Sequence, residues 1–562
     1  MHLFQMKNSN PKYSRFKIYL PFIFALVLIA GFLLGLNLRT DPGVPSSEKK
    51  FFSIGVDRYD KVNDIINYVY DSYVDSVSRE TLTEETIKSL LKNLDPHSAY
   101  IPASAFREMN DPLMGGFEGI GIEFNMTNDT VVVINPIAGG PSETAGIMPG
   151  DRIVKVEGEP IAGVNMATNE VVSKLKGEKG TKVNVSVYRR GVDELLEFEL
   201  VRDKIPSYSL DIAYMVDAEV GYVRLNKFSA TTHQEFVMAV EQLDRKGMGK
   251  LILDLRGNGG GFLDAAINLA DEFLEPQKLI VYTDGRKRPA TYAHARRNGS
   301  FETRPLVVLI DEWSASASEI IAGAVQDNDR GVIIGRRSFG KGLVQEQVQL
   351  GDGSALRLTV ARYYTPTGRS IQKPYENGEE EYFSEFLQRY YDGELEHPDS
   401  IRFDDSLRFE TPAGREVYGG GGIMPDIFIP LETGDHTRFF NQVSNRGLLY
   451  RFAFDFADRN RSKLEKYESA ENFVSSFTLD RQIFNEFLGF VREQGVSTDN
   501  ISSESEAMTK NYLKAYMGRN IFGMEAFFPV LHTRDQAFQK AVEMLKSDTL
   551  MTYLSPVELE ND

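Results

Sequence analysis

The sequence predicts a multidomain α/β protein with one transmembrane helix near its N-terminus. Its 562 residues are too many for a single hydrophobic core. Residues 204–432 alternate apolar β-type runs with helical stretches, a pattern typical of a layered α/β core. Residues 18–38 carry no charge and are numerous enough to cross a bilayer. We therefore divide the chain into five predicted segments: 1–50, 51–112, 113–203, 204–432 and 433–562.

The first segment contains the predicted membrane anchor, residues 18–38, and a polar linker. Four basic residues precede the apolar run: Lys7, Lys12, Arg15 and Lys17. Because positive charge favours the cytoplasmic side, we expect the N-terminus in the cytoplasm and the chain after Leu38 on the periplasmic side of the inner membrane. The alternative is a cleaved signal peptide, but the run ends in GLNLRTDPG, which lacks an A-x-A site. We expect an uncleaved, single-pass anchor.

Composition narrows the classes of partner and cofactor. The formal net charge of −18 argues against nucleic acid as a partner, since such binding depends on clustered Lys and Arg. The absence of cysteine excludes thiol proteases, zinc fingers and disulfide frameworks. The sequence also lacks H-E-x-x-H and any clustered set of His and carboxylate residues. We expect neither a metal nor another cofactor.

The later segments differ in their periodicity. Residues 51–112 are predicted to be helical, because apolar residues recur at helical spacing in VNDIINYVYDSYV and TEETIKSLLKNL. Residues 113–203 combine short β-rich runs with Gly-rich turns and one helical stretch. Residues 204–432 supply the α/β core, and residues 433–562 show helical patterns with few strands. We expect a helical C-terminal domain, for which the sequence alone indicates no chemistry.

Ser316 is the first candidate for chemistry. It follows the buried-looking strand LVVLID and stands where a helix is predicted to begin, in EWSASASEIIAGA. The unpaired N–H groups and partial positive charge of a helix N-terminus favour a nucleophilic oxygen and a developing oxyanion. The simpler interpretation is that these serines only cap the helix. A nucleophilic serine would also need a base.

Lys341 is the candidate base, because no histidine lies in a recognisable triad context and no G-x-S-x-G motif is present. A lysine acts as a base only where burial lowers its pKa enough to leave it neutral. Gly340 and Gly342 flank Lys341 and would let the backbone press against another element and bury the ammonium group. A lysine in a turn is more often a solvated surface group, and the sequence leaves both interpretations open.

The Gly-rich segment DLRGNGGG, residues 254–261, ends a predicted strand before a helix. Such strand-to-helix turns expose N–H groups that bind phosphates or oxyanions. The spacing of the glycines matches neither a P-loop nor a dinucleotide-binding fingerprint. Taken alone, the segment is a weak signal for either kind of anion site.

Taken together, these segments resemble the carboxyl-terminal processing proteases, also called tail-specific proteases, which are Ser/Lys serine peptidases with a PDZ domain. The resemblance runs from about residue 56 to residue 430. It rests on motifs that follow in the family's order: LDPHSAYI, FEGIGIEF with GGPSETAGIMPGDRIVKVEG, DLRGNGGG, SASASEIIAGA, GRRSFGKGLVQ, RYYTPTGRSIQ and GGIMPD. It implies a ClpP- or crotonase-like protease core of layered sheet and helices with an inserted PDZ domain.

The resemblance also implies a role for each residue of the dyad. Ser316, the middle serine of SASASE, would be the nucleophile, with Ser314 and Ser318 as structural neighbours. Lys341 of FGKG would be the general base. Gln345, four residues further on, would orient that lysine.

An oxyanion hole is implied as well. It would use the backbone N–H groups of Ala317 and of a glycine in RGNGGG, for which we choose Gly260. Gly259 departs from the family, because many members carry proline at that position. The change would loosen the loop without removing a donor.

For residues 113–203 the resemblance implies a PDZ domain, which binds an extended C-terminal peptide as an added strand. The loop formed by Gly119, Ile120, Gly121 and Ile122 would capture the terminal carboxylate with its backbone N–H groups. Protein or peptide C-terminal tails would then be the substrates. The alternative is an internal β-domain without a ligand.

The sequence therefore predicts a membrane-anchored serine endopeptidase that recognises C-terminal tails and cuts them with a Ser-Lys dyad. The prediction leaves room for a homo-oligomer or an activating partner. The main alternative is a catalytically inactive, membrane-tethered PDZ scaffold, against which the presence of Ser316, Lys341 and Gln345 together argues. A second alternative is an acyl hydrolase of small esters, in which a PDZ domain would be hard to explain.

Overall fold

The structure is a computed structural model, and the residues that it describes are 25, 61–402, 404–547 and 549–554. Apart from residue 25, the predicted anchor at 18–38 lies outside them. Among the described residues, no helix is both long and apolar enough to span a membrane.

The chain divides into two compact units, Met1–Thr83 and Glu84–Asp562. The first unit contains helix α1 (Lys61–Ser72) and the start of α2 (Arg79–Lys92). In the second unit, β1 (Ala99–Ile101) and α3 (Ala103–Asn110) follow. The N-terminal region is thus mostly helical, and its one strand becomes important for the site described below.

Residues 116–206 form a β-domain with two short helices. Strands β3, β4, β5, β7 and β8 form an antiparallel sheet in that order, with β6 on β5, and β2 pairs with β9. Alternate residues of β7 are buried, because only one face of this sheet covers the core. The elements are β2 (Gly116–Gly119), β3 (Ile122–Met126), β4 (Val131–Pro136), α4 (Pro141–Ala145), β5 (Arg152–Val156), β6 (Glu159–Pro160), α5 (Thr168–Leu175), β7 (Lys182–Tyr188), β8 (Leu196–Val201) and β9 (Asp203–Pro206).

A six-stranded sheet forms the centre of the next region. Its order is β10-β11-β12-β15-β16-β21, and every pair from β11 onward is parallel. Parallel strands are covered on both faces, and all five residues of β15 are accordingly buried. The elements are β10 (Leu210–Met215), β11 (Val220–Leu225), α6 (Thr232–Arg245), β12 (Lys250–Asp254), α7 (Leu263–Ala270), β15 (Leu306–Ile310), α8 (Ala317–Asp327), β16 (Val332–Gly335) and β21 (Ile427–Phe428). Helices α6, α7 and α8 cover one face.

A second, antiparallel sheet lies beside the first and joins distant parts of the chain. Its order is β1-β18-β13-β14, with β17 also paired to β18. The N-terminal strand β1 therefore lies directly against β18. The elements are β13 (Leu279–Gly285), β14 (Arg288–His294), β17 (Leu343–Gln349), β18 (Ala355–Tyr364), α9 (Glu379–Tyr391) and the hairpin β19 (Arg408–Glu410) and β20 (Glu416–Tyr418).

The C-terminal helices form two groups. The first six enclose their own core, which is rich in phenylalanine: α10 (Arg438–Asn445), α11 (Leu448–Arg459), α12 (Arg461–Leu464), α13 (Ala470–Ser476), α14 (Arg481–Glu493) and α15 (Ser503–Phe522). The last three are α16 (Met524–His532), α17 (Gln536–Lys546) and α18 (Thr549–Leu554). These three pack on the face of the central sheet that α6, α7 and α8 leave open. The segment that the sequence analysis treats as one helical domain thus also supplies a layer of the α/β core.

The first C-terminal group also contacts the β-domain. Asp458 of α11 pairs with Arg152 at 3.4 Å and with Arg190 at 3.6 Å. Arg519 of α15 forms an ion pair with Glu123 on β3. Residues after 433 therefore touch both the β-domain and the central sheet.

Candidate active site

Ser316 lies at the turn between β15 and α8. Its backbone has φ +56° and ψ −111°, a conformation that a serine rarely adopts, so the turn is strained. Helix α8 begins at the next residue and is buried along its whole length. Among the described residues, the N–H of Ala317 meets no hydrogen-bond acceptor, as is usual for the first residue of a helix. Ser316 therefore stands at a buried helix N-terminus with an unused donor beside it.

The serines on either side of Ser316 tie this turn to the Gly-rich segment. The Oγ of Ser314 donates to the carbonyl of Leu255 at 2.9 Å. The Oγ of Ser318 donates to the carbonyl of Asn258 at 2.8 Å. Both neighbours are buried structural groups.

Lys341 lies in the loop between β16 and β17. Its Nζ donates to Oε1 of Gln345 at 3.2 Å, and Nε2 of Gln345 donates to the carbonyl of His97 at 2.7 Å. Burial lowers the pKa of Lys341 from its ordinary value of 10.5, and the positive charge of Arg357 lowers the pKa further. Both effects favour the neutral amine that a base requires.

The glycines beside Lys341 allow its loop to lie against neighbouring backbone. A Cβ added at Gly342 would stand 2.9 Å from the amide nitrogen of Gln372. Gly340 has φ +89°, and a Cβ there would stand 3.2 Å from the amide nitrogen of Gly422. Larger residues would push the loop away and expose the lysine. Lys341 is therefore not the solvated surface group that the sequence left open.

One cleft of about 380 Å³ brings the predicted catalytic residues together. Ser316, Ala317, Lys341, Gln345 and Gly260 all line it. The rest of its wall is largely apolar and contains no acidic residue: Asn110, Leu113, Gly259, Gly261, Phe262, Leu263, Ile320, Leu343, Val344, Gln347, Arg357 and Tyr363.

Glu319, the third residue of α8, connects the turn of Ser316 to the loop of Lys341. Its carboxylate is fully buried and accepts four hydrogen bonds from uncharged donors: the N–H groups of Ser316 at 2.7 Å, Gly340 at 2.7 Å and Lys341 at 2.9 Å, and Oγ of Ser338 at 2.6 Å. Burial raises the pKa of Glu319 to about 7, although these bonds act in the opposite direction. One side chain thus fixes the backbone of both members of the predicted dyad.

Glu319 is not among the site residues predicted from the sequence, although a local signal is present. The stretch from Ser316 to Glu319 fits the S-x-x-E capping box, in which the glutamate accepts from the N-cap N–H. Tyr363 of β18 was missed as well. Its hydroxyl donates to the carbonyl of Ser316 at 3.1 Å and to that of Lys341. No local pattern indicates Tyr363, because these contacts depend on the pairing of the second sheet.

The Gly-rich segment is anchored by Asp254, the last residue of β12. Its buried carboxylate accepts from the hydroxyl of Tyr222 at 2.7 Å and pairs with Arg256 at 2.6 Å and Arg224 at 3.0 Å. Burial alone would raise the pKa of Asp254, but the two arginine charges outweigh burial and hold the pKa well below its usual range. Arg256 also pairs with Asp535 at 2.7 Å, which ties the segment to the C-terminal helices.

Gly260 lies directly beside the predicted nucleophile. Its φ is +99°, and an added Cβ would stand 2.8 Å from Cβ of Ser316 and 3.0 Å from the amide nitrogen of Ala317, so only glycine fits. Its N–H, predicted as an oxyanion donor, donates instead to Oδ1 of Asn258 at 2.9 Å. That role for Gly260 stays a prediction and would require the bond to Asn258 to open.

The N-terminal region reaches the site through His97, whose carbonyl accepts from Gln345. Asp95 holds this segment, since its Oδ1 accepts from the N–H groups of His97 and Ser98, both at 2.9 Å, and from Oγ1 of Thr359 at 3.0 Å. The sequence analysis used LDPHSAYI only as part of a resemblance. It could not assign this contact, because 248 residues separate His97 from Gln345.

The predicted carboxylate-binding loop, residues 119–122, connects β2 to β3 and lies outside the catalytic cleft. Gly121 has φ +74°, and the carbonyl of Ile120 accepts from the N–H of Ser142 at 3.0 Å and from its Oγ at 2.7 Å. Within the described residues β3 pairs only with β4, so its other edge has no strand partner. An extended peptide can pair with such an edge.

The described part of the chain offers no metal centre. It contains no group of three or more His, Asp or Glu residues arranged to hold a metal ion.

Comparisons with known proteins agree with this architecture. Residues 219–377 match peptidase family S41, residues 119–200 match the PDZ domain, and residues 439–523 match a family of unknown function. A carboxy-terminal-processing protease of Bartonella bacilliformis is 40% identical over 317 residues, which cover 56% of this chain and 72% of that protein. The carboxy-terminal processing protease CtpA of Bacillus subtilis is 34% identical over 329 residues, covering 58% and 69%. Among solved structures, a photosystem II D1 C-terminal processing protease has 28% identity and a TM-score of 0.34, covering 65% of this chain and 86% of that one.

Proposed function

This chain belongs to the carboxy-terminal processing proteases, and on that premise we propose that it is a membrane-anchored endopeptidase that cuts protein C-terminal tails with Ser316 and Lys341. It is a serine-type peptidase with a PDZ domain. One observation carries the finer proposal: the five residues predicted from the sequence line a single cleft, in which Gln345 accepts a hydrogen bond from Lys341.

In the proposed first step, Oγ of Ser316 attacks the carbonyl carbon of the scissile amide while Nζ of Lys341 takes the hydroxyl proton. The carbonyl oxygen becomes an oxyanion, and the unused N–H of Ala317 is the donor best suited to stabilise it. The C–N bond then breaks, and the proton on Lys341 passes to the leaving amine. An acyl ester on Ser316 remains.

In the proposed second step, water attacks the acyl ester and Lys341 again takes the proton. The ester bond breaks, the new C-terminus leaves, and the proton returns to Oγ of Ser316. Glu319 touches no reacting atom. It keeps the backbone of both residues in register and is therefore a positioning residue.

The PDZ domain is proposed to select the substrate. The free edge of β3 and the adjoining loop, residues 119–122, have the form that captures a terminal carboxylate and an extended tail. A tail held there would deliver an upstream, unfolded segment to the cleft. The similarity to carboxy-terminal processing proteases supports C-terminal tails as the substrates.

The membrane anchor is proposed from the sequence of residues 18–38 and its flanking positive charges. It would place the protease on the periplasmic side of the inner membrane. Alkaline extraction of membranes from cells that make the full-length protein tests this. We expect the protein to stay in the membrane pellet, and its release into the soluble fraction would contradict an uncleaved anchor.

The nucleophile is tested with full-length wild-type protein beside Ser316→Ala. Each is incubated with an unfolded protein that has an apolar C-terminus, and the products are followed by mass spectrometry. We expect cleavage by the wild type alone. Equal cleavage by both would exclude Ser316, and tail binding without cleavage by either would favour the inactive scaffold.

The base is tested with Lys341→Arg, which keeps a positive charge but cannot become neutral near pH 7. We expect no cleavage at any pH. Substantial activity in this variant would exclude Lys341 as the base.

A further inference from the structure

Arg357 stands in the wall of the catalytic cleft on a rigid strand. Its backbone lies in β18, where it is paired with Ala99 of β1 on one side and Gln347 of β17 on the other. Its side chain is half-buried and lines the same cleft as Ser316 and Lys341. The position of this cation is thus fixed by three strands.

The guanidinium of Arg357 has no carboxylate partner among the described residues. Its Nη2 donates to Oε1 of Gln347 at 3.1 Å and contacts Sδ of Met109 at 3.4 Å. Its Nε and Nη1 donate to no described residue. Arg256 and Arg415 of the core, in contrast, are paired with Asp254 and Asp329. Arg330 has no carboxylate partner among the described residues, but it donates to three backbone carbonyls.

This cation stands in a cleft without acidic residues, in a chain whose net charge is −18. Lys341 must lose its proton to act as a base, so Arg357 is the side chain that remains positively charged among those that line the cleft. A partly desolvated cation without a counter-ion attracts a carboxylate strongly, and the planar fork of arginine can bind both carboxylate oxygens.

We propose that Arg357 is a specificity-determining residue that binds a carboxylate of the substrate beside the scissile bond. The inference rests on the proposed function, since it concerns the segment that Ser316 cuts. The carboxylate comes from an Asp or Glu side chain near the cut or from the substrate's own C-terminus. Either source gives the same ion pair, and the two are separated by experiment.

The absence of an internal partner also serves the base. A carboxylate of the protein beside Arg357 would cancel the positive charge that helps to lower the pKa of Lys341. This effect on Lys341 applies to the empty cleft, and a substrate carboxylate bound to Arg357 would reduce it.

The experiment measures kcat/KM of the full-length protein on matched unfolded peptides. One set carries a single Glu, Gln or Lys at successive positions around the cut, and a second set ends in a free carboxylate or an amide. The variants are Arg357→Gln, Arg357→Lys and Arg357→Glu. Arg362→Gln is the control, because Arg362 lies on the same strand but outside the cleft and donates to the hydroxyl of Tyr375.

We expect wild type to prefer one carboxylate over its amide counterpart by about tenfold, the size of a charge-assisted hydrogen bond. Arg357→Gln should reduce that ratio to about one, Arg357→Lys should keep part of it, and Arg357→Glu should prefer Lys at the same position. Arg362→Gln should keep the wild-type ratio. A preference for the free C-terminus that survives in Arg357→Gln belongs to the PDZ domain and not to the cleft.

Two results would overturn the inference in distinguishable ways. If wild type cuts all peptides with ratios within twofold while Ser316→Ala cuts none, the carboxylate site is wrong and the protease stands. If wild type and Ser316→Ala give the same products, the proposed function fails and the inference fails with it. If Arg357→Gln has lost all activity, the test is whether Arg357→Glu cleaves the Lys peptide. No cleavage of that peptide also counts against the inference.

Discussion

Glu319 and Asp254 are both fully buried carboxylates, and each anchors an element that lines the catalytic cleft. Glu319 accepts four hydrogen bonds from uncharged donors, and burial raises its pKa to about 7. Asp254 is paired with Arg256 and Arg224, which hold its pKa below the usual range despite equal burial. The hydrogen-bond and ion-pair partners of a buried acid, and not its degree of burial, decide whether it stays charged or titrates near neutral pH.

The two acids also act on stability with opposite signs. The pKa of Glu319 is higher in the folded chain than its ordinary 4.5, so its contribution to stability is full below pH 4.5 and is lost as the pH rises through about 7. The pKa of Asp254 is lower than its ordinary 3.8, so its contribution is present above that pH and is lost in acid. Asp254, which holds the Gly-rich segment, thus stays ionised down to acid pH, whereas Glu319, which holds Ser316 and Lys341, changes its charge near pH 7.

The largest expected effect is on stability, from Asp254→Asn. The change removes the buried carboxylate that Arg256 and Arg224 share and leaves each with one other partner, Asp535 and Asp211, so we expect the free energy of unfolding to fall by about 3 kcal/mol. Hydrogen exchange of the β11 and β12 amide groups measures this value. The exposed pair of Asp244 with Arg304 is the control, and Asp244→Asn should cost about 1 kcal/mol or less. Equal losses would remove the distinction between the two acids.

Glu319→Gln is expected to lose less stability than Asp254→Asn and more activity. Glutamine has one acceptor oxygen and places an NH₂ group against donors, so we expect about 1–3 kcal/mol of destabilisation. Because Ser316 and Lys341 both lose their anchor, kcat/KM should fall about 100-fold.

Glu235 provides the matched control for that variant. It also accepts from uncharged donors, the N–H groups of Ser209 and Leu210 and the hydroxyl of Thr231, but it lies outside the cleft. Glu235→Gln should lower stability and leave kcat/KM nearly unchanged. A similar loss of activity in both variants would mean that Glu319 acts only on stability.

The pH profile separates the adjustable carboxylate from the base. Activity should rise with pH, because Lys341 must be neutral and Glu319 must be ionised to accept its four bonds. Between the two pKa values, kcat/KM should fall about tenfold per pH unit, and below both it should fall about 100-fold per unit. Glu319→Gln should lose the step near pH 7 and keep the step of Lys341, whose pKa burial lowers from 10.5. A profile unchanged in this variant would show that Glu319 does not titrate in the working range.

The smallest expected effect concerns Asp535, which links the Gly-rich segment to the C-terminal helices. Its carboxylate pairs with Arg256 and also caps α17 by accepting from the N–H of Phe538 at 3.1 Å. Asp535→Asn removes the charge and keeps the cap, and Arg256 keeps its pair with Asp254, so we expect a loss of about 1–2 kcal/mol. Asp535→Ala removes both and should cost about 1 kcal/mol more. Thermal unfolding of the two variants measures the difference, and equal stabilities would mean that the helix cap does not stabilise the protein.

The sequence was sufficient to predict what depends on local pattern. The multidomain α/β class followed from alternating strands and helices, and the family from motifs in order. The positions of Ser316 and Lys341 followed from two short motifs, and both line one cleft.

Contacts that depend on long-range pairing could not be predicted. The hydrogen bond from the N–H of Gly260 to Asn258 depends on the conformation of the glycine loop. The sequence pattern does not determine that conformation. The contact between Gln345 and His97 depends on how β1 pairs with β18. Helical periodicity in α17 shows that one face is apolar, but not that this face covers the central sheet.

The packing of α17 on the central sheet has a consequence for biogenesis. Phe538, Ala541 and Leu545 cover apolar side chains of β12 and β15, which occur about 230 to 290 positions earlier in the chain. During synthesis, the central sheet that precedes Ser316 therefore keeps one apolar face uncovered until α17 has been made. The protease core is therefore complete only after α17 has packed on this face.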